Sequence, residues 1–147
     1  MGSCQKEKLE SSLKFVLEEA RIVVPGVQAI LGFQLIAVFN SEFHKLGRIQ
    51  QIGHLVSIGL TVIGMILVLS LAAYHRLSNH EVSAQLLQAC SGFLVAGMFA
   101  LMLAICVDFN LICNLILEQS EISGLLTVIL FLAFLFQWFA IPKLLKL

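Results

Sequence analysis

Four apolar stretches of about twenty residues each divide this chain, and they restrict its fold more than any other feature. They span residues 22–40, 54–75, 85–107 and 121–141. A helix needs about 20 apolar residues to cross a hydrocarbon core about 30 Å thick. In lipid the backbone must bond to itself, so only helices and closed barrels cross it. Barrel strands alternate in polarity, and these stretches do not. The sequence therefore predicts an all-α integral membrane bundle of four transmembrane helices. The connections between them are short, which makes consecutive helices antiparallel neighbours.

Composition agrees. Hydrophobic residues make up 59% of the 147 positions and charged residues 12%, with a mean hydropathy of +0.98. A water-soluble domain this small leaves too much surface exposed to hide such a content. Nine basic residues balance nine acidic ones. No basic stripe exists to meet a phosphate backbone, so nucleic acid is excluded as a partner. The four cysteines form no CxxC pair and no Cys–His set with zinc spacing. Cys90 is expected to pack as a small apolar residue. Cys106 and Cys113 fall near one membrane face, where a disulfide forms only if that side is oxidising.

Residues 1–20 read as an amphipathic helix on the cytoplasmic side, ahead of the membrane domain at 21–147. Leu9, Leu13, Val16 and Ala20 recur at helical spacing among Lys6, Lys8, Glu10 and Lys14. Such a helix lies on the membrane surface or extends the first span. Pro25 falls one turn inside that span.

Lys and Arg counts orient the bundle. Lys6, Lys8, Lys14, Arg21, Arg76, Lys143 and Lys146 share one side, against Lys45 and Arg48 on the other. The richer side is expected to be cytoplasmic, with both termini, Tyr74 and Trp138 there.

The second span carries a periodic stripe. His54, Ser57, Thr61, Gly64, Val68, Leu71 and His75 follow steps of three and four and so share one face. Small and hydroxyl residues in lipid mark the side that meets other helices. In the third span Gly92, Ala96, Ala100 and Ala104 repeat every fourth position, a second seam. The first span places Arg21, Pro25, Gln28 and Gly32 on one face and Gln34 almost opposite.

Intramembrane polar groups are expensive and so mark either interhelical bonds or a site. The candidates form a polar intramembrane or interfacial set: Arg21, Gln28, Gln34, His54, Tyr74, His75 and Arg76. By depth, Arg21, Gln28, Tyr74, His75 and Arg76 gather at the cytoplasmic end, with Arg21 and Arg76 facing Glu18 or Glu19. Gln34, His54 and Asp108 gather at the outer end, where Asp108 is expected to meet His54. Asp108, Glu118 and Glu121 otherwise read as members of a polar turn.

These residues also carry a resemblance. Arg21-x-x-x-Pro25-Gly26-x-Gln28, then Phe33-Gln34, Phe39, His54 and Tyr74-His75-Arg76, resemble the signature of small bacterial four-helix membrane proteins of unknown function. The match covers mainly residues 18–76. Ala72-Ala73 stand where family members often have small residues or proline, and in the second half the match rests on hydropathy, Trp138-Phe139 and Pro142. The resemblance implies a multi-pass protein of the bacterial cell membrane and supplies no activity.

No GxSxG, Walker A or HExxH arrangement is present, so the expectation is a protein that is not an enzyme. The expected role is a scaffold or accessory subunit, with membrane lipids around it and a homo-oligomer or a membrane protein as partner. The first alternative is a small transporter or channel using the polar face of the second span. The other is a haem or metal protein using His54 and His75. Those two stand about 31 Å apart along one helix and share no ligand. The expectation is therefore no metal and no cofactor.

Overall fold

The computed structural model describes residues 3–77, 83–117 and 119–140. Among these there is no strand. α1 spans Ser3–Val38, α2 Arg48–Leu77, α3 Ala84–Leu117 and α4 Ser120–Leu135, with a 3-10 turn at Ser41–Lys45 and a π-helical turn at Phe136–Ala140. The four helices are long and apolar enough to cross a membrane. The connection carrying His80 and Glu81 lies outside the described residues, as do Pro142, Lys143 and Lys146.

α1 is longer than its apolar span. It runs without a break through Pro25, so the N-terminal segment continues the first span, and residue 20 marks no boundary in the helix. Its buried positions are Leu13, Ala20, Val27 and Gln34. They stand seven residues apart, the repeat of a coiled-coil seam. Leu13 and Ala20 close a core with Val68 and Leu71 of α2 and Cys90 and Leu94 of α3. The part of α1 that precedes the apolar span therefore packs against the bundle through these two side chains.

α2 and α3 form the closest pair. The buried residues of α2 are Ser57, Thr61, Gly64, Val68 and Leu71, the middle of the stripe read from the sequence. Gly64 and Gly97 lie against each other: a Cβ on Gly64 would stand 2.9 Å from Leu101 Cγ and 3.1 Å from the Gly97 carbonyl. A Cβ on Gly97 would stand 2.9 Å from Val68 Cγ2 and 3.1 Å from the Gly64 carbonyl. The absence of a side chain at both positions is what lets these backbones meet. Ser57 Oγ donates to the Ala104 carbonyl at 3.0 Å and adds a bond across the same seam.

α3 extends further than the third apolar stretch. Residues 108–117 are helical and α4 begins at Ser120, so most of the polar turn expected at 108–121 is helix and Asp108 is a helix residue; Glu118 lies outside the described residues. The polar side chains that suggested a turn are bonded within and between helices. Asn114 Nδ2 donates to the Asn110 carbonyl at 3.0 Å and to Asn110 Oδ1 at 2.9 Å. Asn110 Nδ2 donates to Thr127 Oγ1 at 3.0 Å, which ties α3 to α4. Cys106 and Cys113 stand on this one helix as free thiols.

α4 is the least buried element, with Ser123 as its buried residue. Its bond to Asn110 is therefore expected to matter. Asn110→Leu should weaken unfolding stability in mixed micelles by about 0.6–2 kcal/mol, the range of interhelical polar bonds in membranes. Thr127→Val should cost the same, and the double variant little more than either single one. Additive losses would mean that the two side chains do not meet.

Candidate functional site: a polar network under an apolar cleft

Three helices each place one polar group at the end of the bundle where α1 finishes. Gln34 is the last member of the buried α1 seam, 4% exposed. His54 opens the α2 stripe, and Asp108 lies four residues beyond the buried Ala104 of α3. Helical periodicity carries all three toward one point.

There they form a closed set of bonds. Gln34 Nε2 donates to Asp108 Oδ2 at 2.7 Å and to Ser57 Oγ at 2.8 Å. His54 Nδ1 stands 3.1 Å from Asp108 Oδ1. His54 Nε2 stands 2.9 Å from the backbone carbonyl of Gln34. Below them Thr61 Oγ1 donates to the Ser57 carbonyl at 3.1 Å.

Two consequences follow from donor and acceptor arithmetic. Both ring nitrogens of His54 face acceptors. The Gln34 carbonyl can only accept, so Nε2 carries hydrogen and donates to it, and Nδ1 shares the second bond with Asp108. The Gln34 amide is fixed in orientation as well. The Ser57 hydrogen goes to Ala104, so Ser57 must accept from Gln34, and a carbonyl turned toward Asp108 would meet a carboxylate. Gln34 Oε1 is then left buried with no hydrogen-bond partner. An unpaired buried acceptor costs about 1–3 kcal/mol, a penalty that marks a strained or functional position.

The network forms one wall of a cleft of about 700 Å³. Its other walls are mainly apolar, among them Ile30, Phe33 and Ala37 of α1 and Leu111, Ile112 and Leu115 of α3. Phe43, in the 3-10 turn, also lines it and packs its ring edge-on to His54 with centroids 5.4 Å apart. Lys45 and Gln50 also line it. This volume and this mixture, apolar walls with a few convergent polar groups, are those of small-molecule sites.

The remaining sequence candidates stand elsewhere. Arg21 and Gln28 lie on the exposed face of α1, because the seam runs through Ala20 and Val27 instead. Tyr74 packs its ring against Phe93 with centroids 5.3 Å apart, and His75 and Arg76 close α2 beside it. These five residues do not join the network. Of the seven, Gln34 and His54 do, and Asp108 meets His54 as the sequence predicts. The sequence marks Ser57 only as a seam residue, yet it is a side chain through which Gln34 reaches α2. Among the described residues no group of three His, Cys, Asp or Glu side chains is close enough to hold a metal ion.

Fold and site together define the class: a multi-pass helical membrane protein with a polar network set at one end of its bundle. The chain belongs to a family of unknown function (DUF6328), whose family model matches residues 3–142. No curated protein and no solved structure matches it.

Proposed function

We propose that this protein binds a small amphipathic molecule in the cleft beside Gln34, His54 and Asp108, as a membrane-embedded binding protein or small transporter without enzymatic chemistry. The observation that carries this reading is the convergence of an otherwise costly polar network, with one orphaned acceptor, on an apolar cleft of small-molecule size. The apolar walls take a chain or ring; the network takes a polar head. The orientation read from Lys and Arg puts both termini in the cytoplasm of a bacterium and the cleft toward the outer face of the cell membrane.

The test is what the protein carries. Solvent extracts of purified wild type are expected to hold an amphiphile in constant ratio to the chain. Ala37→Trp places a large ring within the cleft and should lower that ratio about tenfold or more, a loss of at least 1.4 kcal/mol of binding. Identical extracts from wild type and variant, with both folded, would remove the proposal.

The scaffold or accessory-subunit reading is the second. It is favoured by Gly92 and Ala96, which stay exposed on α3 while Ala100 and Ala104 of the same row are buried. Native mass spectrometry in mild detergent tests it. A dimer or a bound partner that Gly92→Leu disrupts would support this role, and a monomer unaffected by that change would count against it.

A further inference from the structure

The hydrogen-bonding capacity left over in the network has one sign. Both hydrogens of Gln34 Nε2 are committed, to Ser57 and to Asp108. Both ring nitrogens of His54 are committed, to Asp108 and to the Gln34 carbonyl. The Ser57 hydrogen is committed to Ala104. What remains is acceptor capacity: Gln34 Oε1, which has no partner, and the outer lone pairs of the Asp108 carboxylate. A head group that only accepts hydrogen bonds finds no donor among Gln34, His54 and Ser57. At the network a carboxylate or phosphate would bring its own negative oxygens against two acceptors; Lys45, which also lines the cleft, is not part of that network.

Charge narrows the class further. The Asp108 carboxylate is met by His54, and Lys45 lines the same cleft. An ammonium head would meet Asp108 oxygens already bonded to His54 and Gln34, with Lys45 in the same cleft, and would lose its hydration among apolar walls. The groups facing His54 from the packed elements are Asp108 and the Gln34 carbonyl, with the Phe43 ring on its flank.

Resting on the binding reading above, we infer that the ligand is a neutral amphiphile whose head donates a hydrogen bond, a hydroxyl at the end of an apolar chain or ring system. The hydroxyl donates to Gln34 Oε1, with Asp108 as the neighbouring acceptor, and the apolar part lies along Ile30, Phe33, Leu111 and Ile112. The oxygen is covered by the side chains around it, so a head that reaches it moves them aside.

The experiment uses the full chain in lipid nanodiscs, with empty nanodiscs as blanks. Binding of four radiolabelled probes of equal chain length is measured: hexadecan-1-ol, its methyl ether, hexadecanoate and hexadecylamine. The alcohol is expected to bind about tenfold tighter than the ether, a difference of 1.4 kcal/mol. It is also expected to bind tighter than the acid and the amine. In Gln34→Met the alcohol's advantage over the ether should vanish. A second readout needs no variant: in wild type labelled with ¹³C-glutamine, the Gln34 side-chain carbonyl resonance should move with the alcohol and stay in place with the ether.

Equal binding of alcohol and ether, both lost in Ala37→Trp, would overturn the hydroxyl inference and leave the cleft reading standing. Tightest binding of the acid or the amine would overturn it as well. Binding of all four probes unchanged by Ala37→Trp would remove both. A parallel arm with dioleoylglycerol separates the sources. If it matches the alcohol, the hydroxyl belongs to a two-chain lipid; if only the alcohol binds, it belongs to a single-chain one. Either result supports the shared chemistry.

Discussion

Asp108→Leu is expected to be among the most damaging single changes in this protein. It removes the acceptor of His54 Nδ1 and of one Gln34 amide hydrogen at once. The side chains of His54 and Asp108 are 12% and 21% exposed, so little water is at hand to replace those bonds. Breaking one partner of such a pair is worse than removing both, because a largely buried polar group is left with no partner. The expected loss is about 2–4 kcal/mol in reversible unfolding from mixed micelles. The double variant His54→Leu, Asp108→Leu should recover part of it, with a coupling of about 1–3 kcal/mol between the positions. Strictly additive losses would show that the two residues do not interact in the membrane.

The second large effect belongs to the glycine contact. Gly97→Leu inserts a branched chain where even a Cβ would stand 2.9 Å from Val68 and 3.1 Å from the Gly64 carbonyl. The carbonyl is backbone and has no rotamer to escape into, so α2 and α3 must separate. That separation also stretches the nearby Ser57–Ala104 bond. Overpacking of a filled seam typically costs about 1–3 kcal/mol, and here the upper end or more is expected. Gly97→Ala should be milder, and Val68→Ala should rescue part of it by removing the nearer of the two obstacles. Gly92→Ala on the same helix should be close to neutral, since nothing stands within 4 Å of its Cβ position. If Gly92→Ala and Gly97→Ala cost the same, α2 and α3 do not meet at this glycine pair.

The sequence and the structure part company in instructive places. The α2 stripe was legible because a helix buried on one side in lipid reverses the usual code. Small and hydroxyl residues face inward, and Ile, Leu and Val face the chains of the bilayer. Ser57, Thr61 and Gly64 obey it, while Val68 and Leu71 continue the stripe as buried aliphatic residues. α1 was harder. Its seam of Leu13, Ala20, Val27 and Gln34 mixes an aliphatic pair, a small residue and an amide, so no single property repeats. The neighbouring face with Arg21, Pro25 and Gln28 drew attention because it is polar, yet it is exposed. Polarity alone does not distinguish a side chain that needs a partner from one that reaches water or head groups.

Asp108 shows a different limit. Asp, Asn, Asn at positions 108, 110 and 114 is a pattern that usually ends a helix, because such side chains compete for backbone groups. Here they bond to other helices or to the turn before them, and α3 continues to Leu117. That outcome depends on where α1 and α4 lie, which no local pattern encodes. The pairing of Asp108 with His54 was accessible through depth alone, since both fall at the same end of their spans. The role of Ser57 as a receiver for Gln34 required the relative rotation of α1 and α2, and the cleft required the three-helix arrangement itself.

The central physical claim is that one histidine inside the bundle bonds on both sides, to a carboxylate on α3 and to a backbone carbonyl on α1. Solid-state NMR of ¹⁵N-histidine-labelled protein in lipid bilayers reads this directly. His54 should show through-space transfer from Nδ1 to the Asp108 carboxyl carbon and from Nε2 to the Gln34 backbone carbonyl carbon. A His54 ring with no transfer to either partner would contradict the account.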